Sequence, residues 1–218
     1  MSSTIFRSAR TAGFWSAVLA TVFSLTYVVG QLAEWAGLLG SQGGPESTST
    51  VLGIVVLLTP SLLLGSSFLV LAVSIHAAAP ADKQVWSHAA VAFATMYAAL
   101  ISIVYFAQLT FVGPRLAREQ MEGIEMFRFV PFDSFLYAVD ILGYSFMSIA
   151  TLFAARVFSG LGLERMLRIA LTANGLLLPF IALQMYFRPL IWVAALWAVT
   201  FPLSTWLLAI RFRRLPAL

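Results

Sequence analysis

Six long apolar segments constrain this chain to one class of fold. Each is close to the roughly 20 apolar residues that an α-helix needs to cross the hydrocarbon core of a bilayer. The 218 residues are 61% hydrophobic and only 10% charged, whereas soluble domains carry about 25% charged residues. The sequence therefore predicts an all-α integral membrane bundle of six transmembrane helices, forming a single domain over residues 1–218. The predicted spans cover about residues 12–36, 51–76, 86–112, 132–158, 164–187 and 190–210.

The distribution of basic residues predicts which way the bundle faces. Six spans place both termini on one side of the membrane. If the termini are cytoplasmic, nine Lys and Arg residues lie inside and four lie outside. Cytoplasmic loops carry an excess of basic residues, so we expect both termini in the cytoplasm. The four outer residues are Arg115, Arg118, Arg128 and Arg188.

One segment between the third and fourth spans is rich in charge. Arg115 and Glu119 are four residues apart, as are Arg118 and Glu122, which is the spacing of stabilising helical ion pairs. We expect a short amphipathic helix here that lies in the membrane interface. The alternative is a solvated loop whose charge spacing is incidental. The dipeptide Gly113-Pro114 is expected to end the third span before this segment.

The fourth span carries polar side chains at helical spacing. Asp133, Tyr137, Asp140 and Tyr144 stand at positions i, i+4, i+7 and i+11, and this spacing places them on one helix face. Hydrocarbon cannot satisfy such a stripe, so it must face protein or water. We therefore expect this face to line a cavity.

The predicted topology sets the depth of polar residues on the other helices. Glu34 and Asp133 are expected near the outer interface, and Tyr27 and Asp140 roughly 10 Å deeper at 1.5 Å of rise per residue. An unpaired carboxylate at that depth costs at least ~2.5 kcal/mol, so Asp140 should be protonated, hydrogen-bonded to tyrosines or paired with arginine. Arg188 is the expected arginine partner. The candidate ligand-binding residues are Tyr27, Gln31, Glu34, Tyr105, Gln108, Asp133, Tyr137, Asp140, Tyr144, Gln184 and Arg188.

The same residues support a structural alternative. Asp140, Tyr27 and Tyr105 are also the residues of a satisfied hydrogen-bond network that holds three helices together. The sequence does not distinguish this network from a ligand site, a proton site or a catalytic site.

Composition limits the other partners of the chain. A net charge of +4 is too small to indicate nucleic-acid binding, and the bilayer is the expected partner. There are no cysteines and two histidines, His76 and His88, so we expect no metal site and no cofactor. A homo-oligomer or a larger membrane complex remains open.

The sequences at the two ends of the chain are similar to those of other membrane proteins. The opening RSARTAGFWSAVLATVFSL and the last span with its RFRR tail resemble small bacterial polytopic membrane proteins of unknown function. This resemblance implies a multi-pass protein of the bacterial inner membrane. It implies no activity and no site residues.

Three functions fit these observations. The first is a membrane protein whose outward-facing acidic and aromatic cavity binds or helps transport a small amphiphilic or cationic molecule. The second is a membrane-embedded enzyme in which Asp140 and Glu34 supply acid/base chemistry to a lipid-soluble, isoprenoid-like substrate. The third is a structural or accessory membrane subunit.

Overall fold

The computed structural model describes residues 2–215, and side chains from residue 7 onward. This part of the chain is all-helical and contains no strand. Six helical stretches are long and apolar enough to cross a membrane, which confirms the predicted number. We refer to them as spans 1 to 6: Arg7–Trp35, Val51–Ala77, Ala81–Leu116, Phe135–Ala155, Leu163–Leu183 and Arg188–Arg213.

The six spans form a closed ring. Each span packs along the next one in the chain, and span 6 packs against span 1. The first turns of span 1 and the last turn of span 6 meet at one end of the bundle, where Arg10 Nη2 donates a hydrogen bond to the Arg213 carbonyl oxygen at 3.3 Å. The first loop, the segment between spans 3 and 4, and the turn between spans 5 and 6 therefore share the opposite end.

Apolar side chains fill the contacts between the spans and cover much of the exposed surface of the ring. Small residues such as Ala17 and Ala20 are fully buried where helices meet, as expected for closely packed membrane helices. Large apolar side chains such as Trp15, Val29 and Phe106 are exposed. An exposed apolar surface of this kind suits a helix bundle in contact with lipid.

A local signal accounts for the start of span 2. Its helix covers Val51–Ala77, and the Thr50 side chain caps its N-terminus by accepting a hydrogen bond from the Gly53 backbone N–H at 3.2 Å. This capping satisfies one of the free donors of the first turn. Pro60 lies inside the helix without ending it.

Span 3 extends past its predicted end. An α-helix over Gln84–Ala107 is followed by a π-helical turn over Gln108–Val112 and a last α-helical turn over Gly113–Leu116. The expectation that Gly113 and Pro114 end the span is therefore wrong. Pro114 is the second residue of the last turn, and the helix continues through it to Leu116.

The predicted amphipathic helix is also absent, because residues 117–127 form turns. Glu119 and Gly123 have φ angles of 57° and 78°, which an α-helix does not allow. The Arg115 guanidinium lies 3.8 Å from the Phe111 ring centroid. The buried Ile124 side chain and a hydrogen bond from Gln108 Nε2 to the Phe127 carbonyl oxygen hold the segment against the bundle.

Span 4 begins later than predicted. Its helix covers Phe135–Ala155, and Ser134 caps it by accepting a hydrogen bond from the Tyr137 N–H at 3.1 Å. Phe132 has a φ of 66°, so the chain is still turning there. Asp133 therefore precedes the helix and does not share the helical face of Tyr137 and Asp140, contrary to the sequence prediction.

Spans 5 and 6 are both interrupted. Span 5 consists of helices over Leu163–Gly175 and Leu178–Leu183. Span 6 starts with a 3₁₀ turn over Arg188–Leu190 and continues as helices over Ile191–Ala194 and Trp197–Arg213. The break in span 6 lies beside the cavity described next, since Ala194, Ala195 and Trp197 line its wall.

Candidate functional site

A cavity of about 300 Å³ lies inside the end of the bundle that carries the first loop. This volume is at the lower limit of small-molecule sites in proteins. All six spans contribute side chains to its wall. Two loop segments, around Pro45 and Pro131, complete the wall.

Asp140 is the central acidic residue of this cavity. It lies on the inward face of span 4 and is only 6% exposed. Its Oδ1 atom is buried and has no hydrogen-bond partner among the described residues. A buried carboxyl oxygen without a partner is costly, so packing of the helices alone does not satisfy Asp140.

Aromatic rings line the wall beside Asp140. Tyr27 comes from span 1, Tyr105 from span 3, Tyr144 from span 4 and Trp197 from span 6. The Tyr105 hydroxyl donates a hydrogen bond to the Tyr144 hydroxyl oxygen at 3.3 Å. The rings therefore come from four of the six helices, and the ring closure of the bundle brings them together.

Two tyrosine–glutamine pairs add polarity to the wall. The Tyr27 hydroxyl donates to Gln31 Oε1 at 2.8 Å, and the Tyr137 hydroxyl donates to Gln184 Oε1 at 3.2 Å. Gln184 Nε2 in turn donates to the Ile181 carbonyl oxygen at 2.9 Å. These bonds fix the orientation of both amides and both tyrosines.

Glu34 is buried near the end of span 1. It is 2% exposed, and neither carboxyl oxygen has a hydrogen-bond partner among the described residues. The carboxyl group lies against the first turn of span 2, where a Cβ atom added to Gly53 would lie 2.8 Å from Glu34 Oε2. A helix N-terminus favours negative charge, so the span 2 dipole offers Glu34 a compensation that Asp140 lacks.

Three predicted site residues lie outside the cavity wall. Arg188 donates a hydrogen bond to Glu46 at 2.9 Å and pairs with Asp133 at 3.4 Å. The expectation that Arg188 pairs with Asp140 is therefore wrong. Gln108 is fully buried, but its amide bonds to the backbone of Phe127.

The other eight predicted residues do line the cavity. The structure brings them together from spans 1, 3 and 4 and from the C-cap of span 5. They are Tyr27, Gln31, Glu34, Tyr105, Tyr137, Asp140, Tyr144 and Gln184.

Sequence reasoning missed Trp197. Tryptophan is typical of the membrane interface, whereas Trp197 lies well inside span 6 and is 7% exposed. That position, well inside an apolar segment, was the available signal. Its ring edge also contacts span 4, because Nε1 donates to Met147 Sδ at 3.2 Å.

The wall of the cavity contains no lysine, arginine or histidine, all of its residues lying within the described part of the chain. The protein therefore offers no positive side chain to Asp140. A proton, a cationic ligand or water from outside is left to satisfy its Oδ1 atom. Such an arrangement can attract a cation and hold an apolar body against the aromatic rings.

The histidines lie at the opposite end of the bundle. The rings of His76 and His88 are 4.0 Å apart between centroids, and His76 Nδ1 lies 2.8 Å from Ser87 Oγ. Within residues 2–215, no group of three His, Asp or Glu residues is arranged to hold a metal ion.

Comparisons with protein-family models, curated proteins and solved structures found no match to this chain.

Proposed function

We propose that this chain is a multi-pass membrane protein that binds, or helps to transport, a small amphiphilic or cationic molecule in the cavity around Asp140. The observation that carries the proposal is the buried Asp140 Oδ1 atom, which has no partner in a wall without basic side chains. A cation supplies the missing charge, and the aromatic wall accommodates an apolar body.

The orientation of the bundle is part of the same proposal. With both termini in the cytoplasm of a bacterial cell, the cavity and its two loops lie on the outer side of the inner membrane. The excess of basic residues at the opposite end supports this orientation. The ligand then enters from outside, and the protein acts alone, as a homo-oligomer or as one subunit of a membrane complex.

A second candidate function is an enzyme that acts on a lipid-soluble, isoprenoid-like substrate. It is favoured by the presence of a second buried carboxyl group, Glu34, in the wall of the same cavity. A carboxylic acid kept neutral by apolar surroundings is able to donate a proton, and aromatic faces stabilise a carbocation.

A purely structural role has less support. Polar groups that hold helices together are expected to satisfy one another. Asn174 follows that pattern, since it bonds both Thr151 and Thr200 on neighbouring spans. Asp140 does not, because its Oδ1 atom has no partner and it lines a cavity.

Direct binding tests the proposal. Benzyltrimethylammonium and uncharged benzyl alcohol are titrated into the purified protein in lipid nanodiscs. We expect binding of the cation to weaken at least about tenfold in Asp140→Asn, since hydrogen bonds and contacts to charged groups contribute about 1.5–3 kcal/mol. Asp82→Asn is the matched control, because Asp82 is exposed and lies outside the cavity wall, at the opposite end of the bundle. Equal binding of the cation to wild type and Asp140→Asn contradicts the proposal.

The enzyme has its own test. Purified protein is incubated with extracted bacterial lipids, and products are followed by mass spectrometry. Turnover that is lost in both Asp140→Asn and Glu34→Gln supports the enzyme. Lack of turnover, or turnover retained in both variants, excludes the proposed acids.

A further inference from the structure

Three aromatic rings of the cavity form a corner beside Asp140. The centroid of the Trp197 ring lies 5.9 Å from that of Tyr27 and 5.4 Å from that of Tyr144. The interplanar angles are 87° and 89°, so both tyrosine rings stand perpendicular to the indole. Several aromatic rings around one point form the kind of cage that recognises methylated and quaternary ammonium groups.

Contacts outside the corner hold the Trp197 ring in place. Trp197 stacks on Phe201 with an interplanar angle of 12° and a centroid separation of 5.2 Å. Its indole N–H donates a hydrogen bond to Met147 Sδ at 3.2 Å. The indole therefore has no free donor for a ligand, and what it presents to the cavity is aromatic carbon.

Hydrogen bonds within the protein also occupy the hydroxyl groups of the tyrosines. The Tyr27 hydroxyl donates to Gln31, and the Tyr105 hydroxyl donates to Tyr144. The Gln31 and Gln184 side-chain oxygens each accept from a tyrosine. These acceptors are already engaged, whereas the Asp140 Oδ1 atom is not. The other unpartnered acceptors of the wall, the two Glu34 carboxyl oxygens, lie about two helical turns from Tyr27, against the first turn of span 2.

The hydrogen-bond donors and acceptors beside these rings favour one class of cation over others. A small metal ion such as Na⁺ or Ca²⁺ requires a shell of several oxygen ligands. A primary ammonium carries three N–H donors that each need an acceptor once desolvated. An alkylated ammonium has few or no such donors and a weaker hydration shell, and it gains from aromatic faces and one carboxylate.

We infer that the cationic group of the ligand is an alkylated ammonium, held in the corner of Trp197, Tyr27 and Tyr144 and neutralised by Asp140. This inference rests on the proposed function and adds the chemical class of the ligand. Trp197 and Tyr27 are then specificity-determining residues, and Asp140 supplies the charge.

The test compares two cations of the same body. Dissociation constants of benzyltrimethylammonium and benzylamine are measured for wild type, Tyr27→Leu, Tyr27→Phe and Trp197→Phe in nanodiscs. We expect wild type to bind benzyltrimethylammonium about tenfold or more tightly than benzylamine, because a desolvated cation–π contact contributes a free energy of that size. Tyr27→Leu should lose most of this preference, and Tyr27→Phe should keep it, because the phenylalanine retains the ring and loses only the hydroxyl.

Trp197→Phe provides a second test in case Tyr27→Leu disturbs folding. It keeps an aromatic ring in the core and should reduce the preference only in part, because tryptophan is the strongest cation–π partner. Trp206→Leu is the control, since Trp206 lies on the same span and is 54% exposed. It should leave both constants unchanged.

The outcomes separate the inference from the proposed function. If wild type binds the two cations with equal affinity and both depend on Asp140, the inference of an aromatic corner that selects alkylated ammonium is overturned. The proposed cation site at Asp140 is then unaffected. An unchanged preference in Tyr27→Leu overturns it as well. If neither cation binds to wild type, the proposed function fails, and the inference fails with it.

Discussion

Arg188 Nη1 donates a hydrogen bond to Glu46 Oε2 at 2.9 Å, and this contact joins the turn between spans 5 and 6 to the first loop. The same guanidinium pairs with Asp133 at 3.4 Å and lies 5.4 Å from the centroid of the Phe132 ring. Arg188 thus connects the two loops whose residues Pro45 and Pro131 form part of the cavity wall.

Removing this connection should loosen the first loop without unfolding the bundle. All three charged side chains are about half exposed, at 47%, 58% and 64%, so each pair contributes less than about 1 kcal/mol. The chain has no cysteine, which allows labelling of a single introduced Ser47→Cys. We expect Arg188→Gln to raise its labelling rate several-fold and high salt to do the same in the parent.

Lys83→Gln is the control for this labelling experiment. Lys83 pairs with Asp82 at 3.9 Å at the other end of the bundle. A labelling rate at position 47 that responds equally to both substitutions would show that Arg188 does not hold the loop.

The contact between spans 4 and 5 should depend on Gly175. A Cβ atom there would overlap Leu152 and lie 2.8 Å from the Ser148 carbonyl oxygen. Because backbone does not move aside easily, we expect Gly175→Ala to destabilise the protein by about 1–3 kcal/mol, as overpacking does. Unfolding in detergent is followed by circular dichroism. Gly65→Ala should be nearly neutral, because its added Cβ meets nothing closer than 3.6 Å.

Asn174 should contribute to stability and not to ligand binding. Its Oδ1 accepts from Thr200 Oγ1 at 2.9 Å, and its Nδ2 donates to Thr151 Oγ1 at 3.2 Å. Hydrogen bonds between membrane helices contribute about 0.6 kcal/mol on average, so Asn174→Ala should cost about 1 kcal/mol. A double-mutant cycle with Thr200→Val measures the coupling. Thr95→Val is the reference, since Thr95 bonds only within its own helix; zero coupling would exclude the network.

The proposed orientation gives a labelling pattern in intact cells. A membrane-impermeant maleimide should modify Gln42→Cys in the first loop before permeabilisation and Ser159→Cys, at the opposite end, only after it. The reverse order would place the cavity on the cytoplasmic side. The ligand would then reach it from the cell interior.

The sequence predicts the bundle well because hydrophobic length and helical spacing are local properties. Tyr137, Asp140 and Tyr144 lie on one face of a continuous helix, so their period of about 3.6 residues places them correctly. Asp133 fits the same period, but Ser134 caps the helix after it and the left-handed backbone at Phe132 turns the chain. Periodicity does not report where a helix begins.

Other features of the site depend on contacts between distant segments. The burial of Glu34 requires the close approach of Gly53 on the next helix, which no spacing within span 1 indicates. The Arg188 pairs require Glu46, more than a hundred residues earlier in the chain. The segment after Leu116 has helical charge spacing but contains two residues with positive φ. That backbone conformation is incompatible with the helix that the charge spacing predicts.

The most direct test is to locate a bound cation by its scattering. Crystals of the protein are grown with 4-bromobenzyltrimethylammonium, and bromine is located by anomalous diffraction. The account predicts a bromine peak inside the cavity lined by Asp140 and Trp197, and its loss in Asp140→Asn crystals treated identically. A peak only on the lipid-facing surface, or an equally strong cavity peak in Asp140→Asn, would contradict the account.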